Sequence, residues 1–234
     1  MKRKIVLKIG GSTLYENDRD VNFSLLEKLK AWYDNAKYEY SKIVIVTGGG
    51  VLSRDLHQKI KENIDNQDTL HNVAMSVTQT SAELVAGYLE DENIYTPKKL
   101  GDAYEYLLSD ASGALVSGGL RPGWSTDMDA AVFADIISSN RVYKISNIDY
   151  IYTKDPRKYQ DAEIIKDMTW QDYFNLFQIK EDDEHEVNAN IPIDKSCARF
   201  SRTKNISFFV CGGVNIENSV DLEEILGEGT LVHP

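Results

Sequence analysis

Three short apolar segments each end directly in glycines, and this repeated pattern constrains the fold more than any other feature. Residues 5–9 lead into Gly10-Gly11, residues 43–46 lead into Gly48-Gly49-Gly50, and residues 114–117 lead into Gly118-Gly119. A buried strand followed by a glycine turn and a helical pattern is typical of α/β proteins. In an open α/β sheet, ligands bind beyond the carboxyl ends of the parallel strands. The pattern therefore predicts one ligand crevice formed by three strand ends.

The third junction, within residues 113–137, carries the most chemical information. Ser125 or Thr126 is predicted to cap a helix. Asp127 and Asp129 then fall in its first turn, where the helix dipole favours negative charge. Backbone N–H groups at such a junction bind anions well. The competing interpretation is an ordinary strand-to-helix turn with capping acids.

The rest of the chain alternates between helical and strand patterns, which predicts one α/β domain over residues 1–234. Helical spacing occurs at residues 23–33, 51–64, 70–89, 99–109, 170–177, 194–202 and 218–226. Further strands are predicted at residues 42–47, 93–95, 141–146, 206–210 and 230–232, with β-like Ile164 and Ile165 between them.

Charge and cysteine content exclude several classes of function. A formal net charge of −11 argues against a nucleic acid or an anionic membrane as partner, since both require a basic surface. Two cysteines, Cys197 and Cys211, give neither a disulfide framework nor a zinc-knuckle spacing, and a reducing cytoplasm fits them best. The first apolar run is too short for a signal sequence or a membrane span.

The familiar phosphate-binding motifs GxxxxGK[ST] and GxGxxG are absent, so phosphates must be held in another way. We expect the Gly10-Gly11 and Gly118-Gly119 turns to present backbone N–H groups to a polyphosphate. Lys8 is positioned to reach the charge that develops during phosphoryl transfer. Arg54, in the first turn after the second junction, is suited to a bidentate grip on an acceptor phosphate. The alternative interpretation is that both are surface cations.

A run of acidic residues around His185, at 181–186, offers a second candidate site. It has the composition of a metal-binding cluster. Such runs are far more often solvated loops, so we interpret residues 180–190 as a polar loop and assign no metal site.

Six blocks of sequence, taken in order, resemble the amino acid kinase superfamily, and within it the archaeal-type UMP kinases. They are KIGGS at 8–12, VTGGG at 46–50, GGLRPGWSTDMDAA at 118–131, SNIDYIYTKDP at 146–156, PID at 192–194 and GTLV at 229–232. The resemblance covers essentially the whole chain.

The resemblance implies a three-layer αβα sandwich with a mostly parallel central sheet. It implies an acceptor-binding lobe over roughly residues 1–140 and an ATP-binding lobe over roughly residues 141–234. The implied reaction transfers the γ-phosphoryl group of ATP to UMP, with Mg²⁺ bridging the ATP phosphates. The implied assembly is a hexamer built as a trimer of dimers.

Residue roles follow from the same resemblance. Lys8 would act on the transferring group and Asp127 would orient it. The other residues implied for the ATP side are Gly10, Gly11, Ser12, Ser146, Asn147, Tyr152, Asp155 and Pro156. Those implied for the acceptor side are Gly49, Gly50, Arg54, His71, Gly118, Gly119, Ser125 and Thr126.

Departures from the family pattern lie mostly on the acceptor side. His71 and Ala74 stand where the family has an aspartate and a glycine that meet the acceptor ribose, and Tyr150 replaces a turn glycine. These departures leave two alternatives open. One is a kinase for another small phosphorylated or carboxylated acceptor. The other is a nucleotide- or oxyanion-binding regulatory or storage protein without turnover, against which the retention of both Lys8 and Asp127 argues.

Overall fold

A computed structural model describes residues 3–16, 19–180, 191–213 and 221–234 of the chain. The strands are β1 Arg3–Ile9, β2 Tyr40–Thr47, β3 Ile94–Tyr95, β4 Ala114–Ser117, β5 Arg141–Ser146, β6 Ile151–Tyr152, β7 Ile164–Ile165, β8 Asp167–Thr169, β9 Ser207–Gly212 and β10 Gly229–His233. The helices are α1 Gly11–Leu14, α2 Phe23–Glu39, α3 Gly50–Ile60, α4 Gln67–Leu89, α5 Leu100–Leu108, α6 Thr126–Ile136, α7 Trp170–Leu176 and α8 Lys195–Lys204.

Eight of these strands form one sheet in the order β3-β4-β2-β1-β5-β9-β10-β8. The pairings from β3 to β9 are all parallel. β10 runs antiparallel to β9, and β8 pairs parallel with β10. The predicted, mostly parallel sheet is confirmed. Because β1, β2 and β4 run parallel to one another, the glycine junctions that follow them all open at the same edge of the sheet.

Helices cover both faces of the sheet, as predicted for a three-layer sandwich. Strand side chains alternate between the two faces, so the odd-numbered Ile5, Leu7 and Ile9 of β1 pack in one core cluster with α2 and α4. Val6, between them, packs in the other cluster with α5, α6, α7 and α8. Lys8 follows the same alternation and therefore faces α6.

Local signals set several helix boundaries. Ser125 Oγ accepts a hydrogen bond from Met128 N at 3.0 Å and is the N-cap of α6, which decides between the two predicted caps. Helix α2 continues to Glu39, beyond the predicted end at Tyr33, and runs directly into β2.

The predicted α-helix over 218–226 is replaced, in its described part, by a 3₁₀ helix, Leu222–Glu228. Arg3 and Arg141 pair with Asp221 and Glu223 and hold the start of this segment against the sheet. The acidic run at 181–186 lies outside the described residues. Within the described ranges, no helix has the length and apolarity needed to cross a membrane.

Candidate active site

The carboxyl ends of β1, β2, β4 and β5 open onto one cavity of about 670 Å³. The three predicted glycine junctions contribute to its wall through Gly10-Gly11, Gly48-Gly49-Gly50 and Gly119. The sequence prediction that these strand ends form a common crevice is therefore confirmed by the geometry.

A buried carboxylate between two lysines forms the floor of the cavity. Asp127 Oδ1 lies 2.9 Å from Lys8 Nζ, and its Oδ2 lies 2.5 Å from Lys144 Nζ. The side chains of Lys8, Lys144 and Asp127 are only 9%, 8% and 9% exposed. The two lysines are register partners on the adjacent parallel strands β1 and β5, so the carboxylate at the start of α6 reaches both. We call these three residues the Lys–Asp–Lys cluster.

Electrostatics favour the ionised form of Asp127. Burial alone would raise the pKa of Asp127, but attraction to Lys144 and Lys8 outweighs it and lowers that pKa to about 2. Burial lowers the pKa of the Lys144 ammonium, and the Asp127 carboxylate opposes that change. Two cations with one anion leave the cavity floor with excess positive charge.

Lys144 was not predicted as a site residue, although the sequence carried a signal for it. It stands in RVYKIS, a predicted central strand, at the position that shares a face with Val142. A lysine in the interior of a buried strand is rare unless it is paired. Its Nζ also donates a hydrogen bond to the carbonyl oxygen of Pro192, which ties the segment before α8 to the cluster.

Glycines at two junctions are required because the junctions touch each other. A Cβ on Gly11 would lie 2.0 Å from Gly50 N and 2.7 Å from the carbonyl carbon of Gly48. Gly50 also has a φ of +56°, in the left-handed region. α1 and α3 therefore begin in direct backbone contact, which places Ser12 and Arg54 on one side of the cavity.

Part of the predicted anion cradle is already occupied by internal hydrogen bonds. Gly10 N donates to the carbonyl oxygen of Ile145 at 2.8 Å, and Gly119 N donates to Thr78 Oγ1 at 2.8 Å. These two N–H groups cannot serve a phosphate without losing those partners. The glycine turns leave room for a phosphate to come close to the backbone, while Lys8 and Lys144 supply most of the positive charge.

Gly118 is the one predicted site residue that does not line the cavity. A Cβ there would lie 2.4 Å from the backbone of both Thr78 and Gln79. The absence of a side chain is explained by the close approach of β4 to α4, since the two backbones could not meet with any larger residue.

Arg54 and one face of α4 form the wall on the predicted acceptor side. Arg54 Nη1 donates to Ser12 Oγ at 3.1 Å. The α4 residues that face the cavity are spaced three, four and seven positions from the first, and they are His71, Ala74, Met75 and Thr78. His71 and Ala74, the two departures from the family pattern on α4, therefore line the cavity.

The opposite wall is formed by the turn after β5, by β6 and by the segments around α7 and α8. The predicted ATP-side residues Ser146, Asn147, Tyr152, Asp155 and Pro156 all line the cavity there. Apolar side chains line the same wall and give it the character of a base-binding surface. They are Ile148, Ile151, Leu176, Phe177 and Ile191.

Ser125 and Thr126 line the cavity between these walls, where α6 begins. Ser125 Oγ donates a hydrogen bond to Asp194 Oδ2, which is also the N-cap of α8. The starts of α6 and α8 are thus joined beside the Lys–Asp–Lys cluster. Across the described part of the chain, no group of three or more His, Cys, Asp or Glu side chains has the arrangement of a metal site.

Asp129 lies in the first turn of α6, as predicted, but it is not the negatively charged residue that the helix dipole would favour there. It is fully buried, and neither carboxylate oxygen has a hydrogen-bond partner among the described residues. Burial raises its pKa to about 8, Asp194 adds to the rise, and the backbone of Leu120 partly opposes it. Asp129 is therefore mostly protonated at neutral pH, beside the Gly119 segment of the cavity wall.

Comparisons with known proteins agree with this architecture. The profile of the Amino acid kinase family matches residues 3–212. A uridylate kinase of Pyrococcus abyssi is 28% identical over 233 residues, covering 99% of this chain and 100% of the relative. A uridylate kinase of Thermococcus sibiricus is 25% identical over 240 residues, with 99% and 100% covered. The crystal structure of uridylate kinase from Archaeoglobus fulgidus superposes with a TM-score of 0.78 at 22% identity, covering 99% of this chain and all of that one.

Asp129→Asn should change how stability depends on pH. Because the pKa of Asp129 is raised from 3.8 to about 8, the native state holds one more proton than the unfolded state between these values. The free energy of unfolding then falls as pH rises from about 4 to about 8, by up to roughly 1.4 kcal/mol per pH unit, and levels off above. Urea denaturation at pH 5.5 and 7.5 should show a smaller loss for Asp129→Asn than for the wild type.

Asp135→Asn is the matched control, because Asp135 lies on the same helix but is exposed and paired with Lys204. It should keep the wild-type slope. Equal slopes for Asp129→Asn and the wild type would contradict the burial of a neutral carboxyl at this position.

Proposed function

This chain belongs to the amino acid kinase family, and we propose that it is an ATP-dependent nucleoside monophosphate kinase that converts UMP and ATP to UDP and ADP. The observation that carries the proposal is the Lys–Asp–Lys cluster at the floor of a cavity with two different walls. Relatives named uridylate kinase, which match nearly the whole chain, support UMP as the acceptor.

The cluster suits the transfer of a phosphoryl group between two phosphates. An oxygen of the UMP phosphate forms a bond to the γ-phosphorus of ATP, and the bond from that phosphorus to the bridging β–γ oxygen breaks and leaves ADP. The acceptor oxygen is already ionised, so no general base is needed. Negative charge on the transferring group is stabilised by Lys8 and Lys144, whose ammonium groups are held in place before the reaction.

Asp127 makes this arrangement possible by holding both lysines. Two ammonium groups on adjacent buried strands repel each other, and the carboxylate between them reduces that cost. Its Oδ2 accepts a hydrogen bond from Lys144, its Oδ1 lies 2.9 Å from the Lys8 ammonium, and its lowered pKa reflects attraction to both. We assign Asp127 a positioning role and not the role of a proton acceptor.

ATP would lie along the wall formed by Ser146, Asn147, Tyr152, Asp155 and Pro156. The apolar residues of that wall would hold the base. Magnesium would neutralise charge on the ATP phosphates, since the cavity floor offers two lysine ammonium groups and its carboxylate, Asp127, is paired with both of them. The metal would thus enter with the nucleotide.

The UMP phosphate would lie on the other wall, against Arg54 and the Gly49-Gly50 start of α3. A guanidinium group binds two phosphate oxygens at once. Ser12, which accepts a hydrogen bond from Arg54, would link this phosphate site to the transferring group. Ser125 and Thr126 lie between the two walls and would line the path of transfer.

His71 and Ala74 favour a second candidate, a kinase for a different small phosphorylated acceptor. Both face the cavity, where the family has an aspartate and a glycine that meet the ribose. A neutral imidazole accepts fewer hydrogen bonds than a carboxylate, so this wall binds two hydroxyl groups less well. The transfer machinery is common to both candidates, and only the acceptor differs.

We also propose that the chain assembles as a homo-oligomer, with a hexamer built as a trimer of dimers as the expected form. Helix α3 has no fully buried residue. Val51 and Leu52 are partly buried against the core, whereas Leu56 is 39% exposed. A second copy packed on α3 would cover Leu56. Light scattering that gives a monomer at micromolar concentration would contradict this assembly.

A coupled assay of ADP release tests the proposed reaction. The enzyme is given ATP and Mg²⁺ with UMP, CMP, GMP, AMP, dUMP or a non-nucleotide phosphate, and UMP should give the highest kcat/KM. Lys8→Ala is the control for the site, and its kcat should fall by roughly 10²–10³, the scale of one lost transition-state contact. Turnover of a non-nucleotide phosphate alone would favour the second candidate. No turnover with any acceptor would support a binding protein without catalysis.

The ribose contact can be tested by His71→Asp. If His71 faces the ribose, wild-type enzyme should discriminate only weakly between UMP and dUMP, and the variant should discriminate more strongly. The reason is that a site built to bind a hydroxyl rejects the analogue that lacks it. The measurement is the ratio of kcat/KM for UMP to that for dUMP in both proteins.

Asn72→Asp is the matched control for this substitution. It introduces the same carboxylate one residue further along α4, at an exposed position outside the cavity wall. Its UMP to dUMP ratio should stay at the wild-type value. Strong discrimination in the wild type, unchanged by His71→Asp, would show that His71 does not meet the ribose.

A further inference from the structure

The segment Arg121-Pro122-Gly123-Trp124 forms a tight turn at the mouth of the cavity, between β4 and α6. Trp124 N donates to the carbonyl oxygen of Arg121 at 3.1 Å, and Gly123 has a φ of +81°. Proline at the second position and a left-handed glycine at the third are the signature of a type II turn. The turn is followed at once by Ser125, the N-cap of α6, so the backbone of Trp124 is fixed at both ends.

Trp124 is unlike the other two tryptophans of the chain. Trp32 and Trp170 are 3% and 1% exposed and belong to the core. Trp170 also donates its indole N–H to the carbonyl oxygen of Ile206 at 3.0 Å. Trp124 is half-buried and lines the cavity. Core packing therefore accounts for two of the indoles but not for the third.

Arg121 stands beside this ring. Its guanidinium carbon lies 4.6 Å from the centre of the Trp124 ring, within the range of a cation–π contact. The side chain is exposed and lines the cavity, and no salt bridge joins it to a carboxylate in the parts of the chain that are described. The stacked guanidinium restrains the indole without covering more than one of its faces.

This pair lies on the acceptor side of the cavity. The segment begins at Gly119, which is packed against Thr78 and Met75 of α4. The same helix presents His71, and Arg54 lies on the neighbouring α3. An acceptor whose phosphate is held by Arg54 would therefore extend towards the turn.

We propose that Trp124, restrained by Arg121, is the stacking platform for the base of the acceptor. This inference rests on the proposed function and makes it more specific, because it limits the acceptor to phosphates that carry a planar aromatic ring. Stacking on an aromatic side chain accepts any base, since every base has a π face. Trp124 would then provide affinity for any nucleoside, and other groups would distinguish one base from another through hydrogen bonds to its edge.

An acceptor without an aromatic ring would have nothing to stack on the indole face of Trp124. A short carboxylated or phosphorylated aliphatic chain offers only an edge-on contact to an indole, and the half-exposed ring would then gain little. The turn thus argues for a nucleotide acceptor independently of the named relatives.

Intrinsic fluorescence tests the contact without any need for turnover. UMP should change the tryptophan emission of the intact protein, whereas ribose 5-phosphate, which has the same phosphate and sugar but no base, should change it much less. Trp124→Phe should lose the UMP-dependent change, because the two remaining tryptophans are in the core. Equal responses to UMP and ribose 5-phosphate, or an unchanged response in Trp124→Phe, would overturn the proposal.

Steady-state kinetics provide the second readout. Trp124→Leu should raise the KM for UMP by roughly 10-fold or more, the scale of one lost base–aromatic stack, while the KM for ATP stays within about twofold. Trp124→Phe should recover most of the affinity because it keeps an aromatic face. A KM for UMP within twofold of the wild type in Trp124→Leu would refute the platform and leave the kinase proposal intact. A protein that turns over no acceptor but still responds to UMP and not to ribose 5-phosphate would refute the kinase proposal alone.

Discussion

The ion pairs between Asp127 and two buried lysines are the interaction on which the rest of the site depends. Lys8 and Lys144 occupy facing positions on adjacent strands, so their ammonium groups would repel each other in a region that water hardly reaches. The carboxylate reduces this repulsion and fixes both side chains. Removing one partner of a buried ionic group costs far more than an exposed pair is worth, because it leaves an uncompensated charge.

The position of that carboxylate is set by elements from several parts of the chain. Ser125 caps α6 two residues before Asp127, and it is joined to Asp194, the cap of α8. Lys144 reaches the carbonyl oxygen of Pro192 just before α8. A parallel sheet brings these strand ends to one edge, and the glycine contact between α1 and α3 brings the acceptor side up to the same edge. The proposed binding of both substrates and the proposed phosphoryl transfer thus depend on one structural junction.

Local sequence patterns predicted the alternation of elements, the crevice at the strand ends and the capped helix at Ser125, because these depend on periodicity and on turn chemistry. They did not reveal the role of Lys144 or the burial of Asp129. Whether a polar side chain in a strand or a first helical turn is buried depends on what packs against it. Local patterns also predicted that the N–H groups of Gly10 and Gly119 could bind a phosphate. In the structure both N–H groups donate hydrogen bonds within the protein. The residues that the family resemblance implies all line the cavity except Gly118, where a glycine is required because two backbones approach closely.

The effect of Asp127→Asn on turnover tests the role of the Lys–Asp–Lys cluster most directly. The amide keeps the size of the side chain but loses the charge that holds Lys8 and Lys144 together. We predict that kcat for UMP falls by roughly 10²–10³, while the KM values for ATP and UMP change by no more than a few-fold and circular dichroism shows that the fold is retained. A folded Asp127→Asn enzyme with a kcat within a few-fold of the wild type would contradict it.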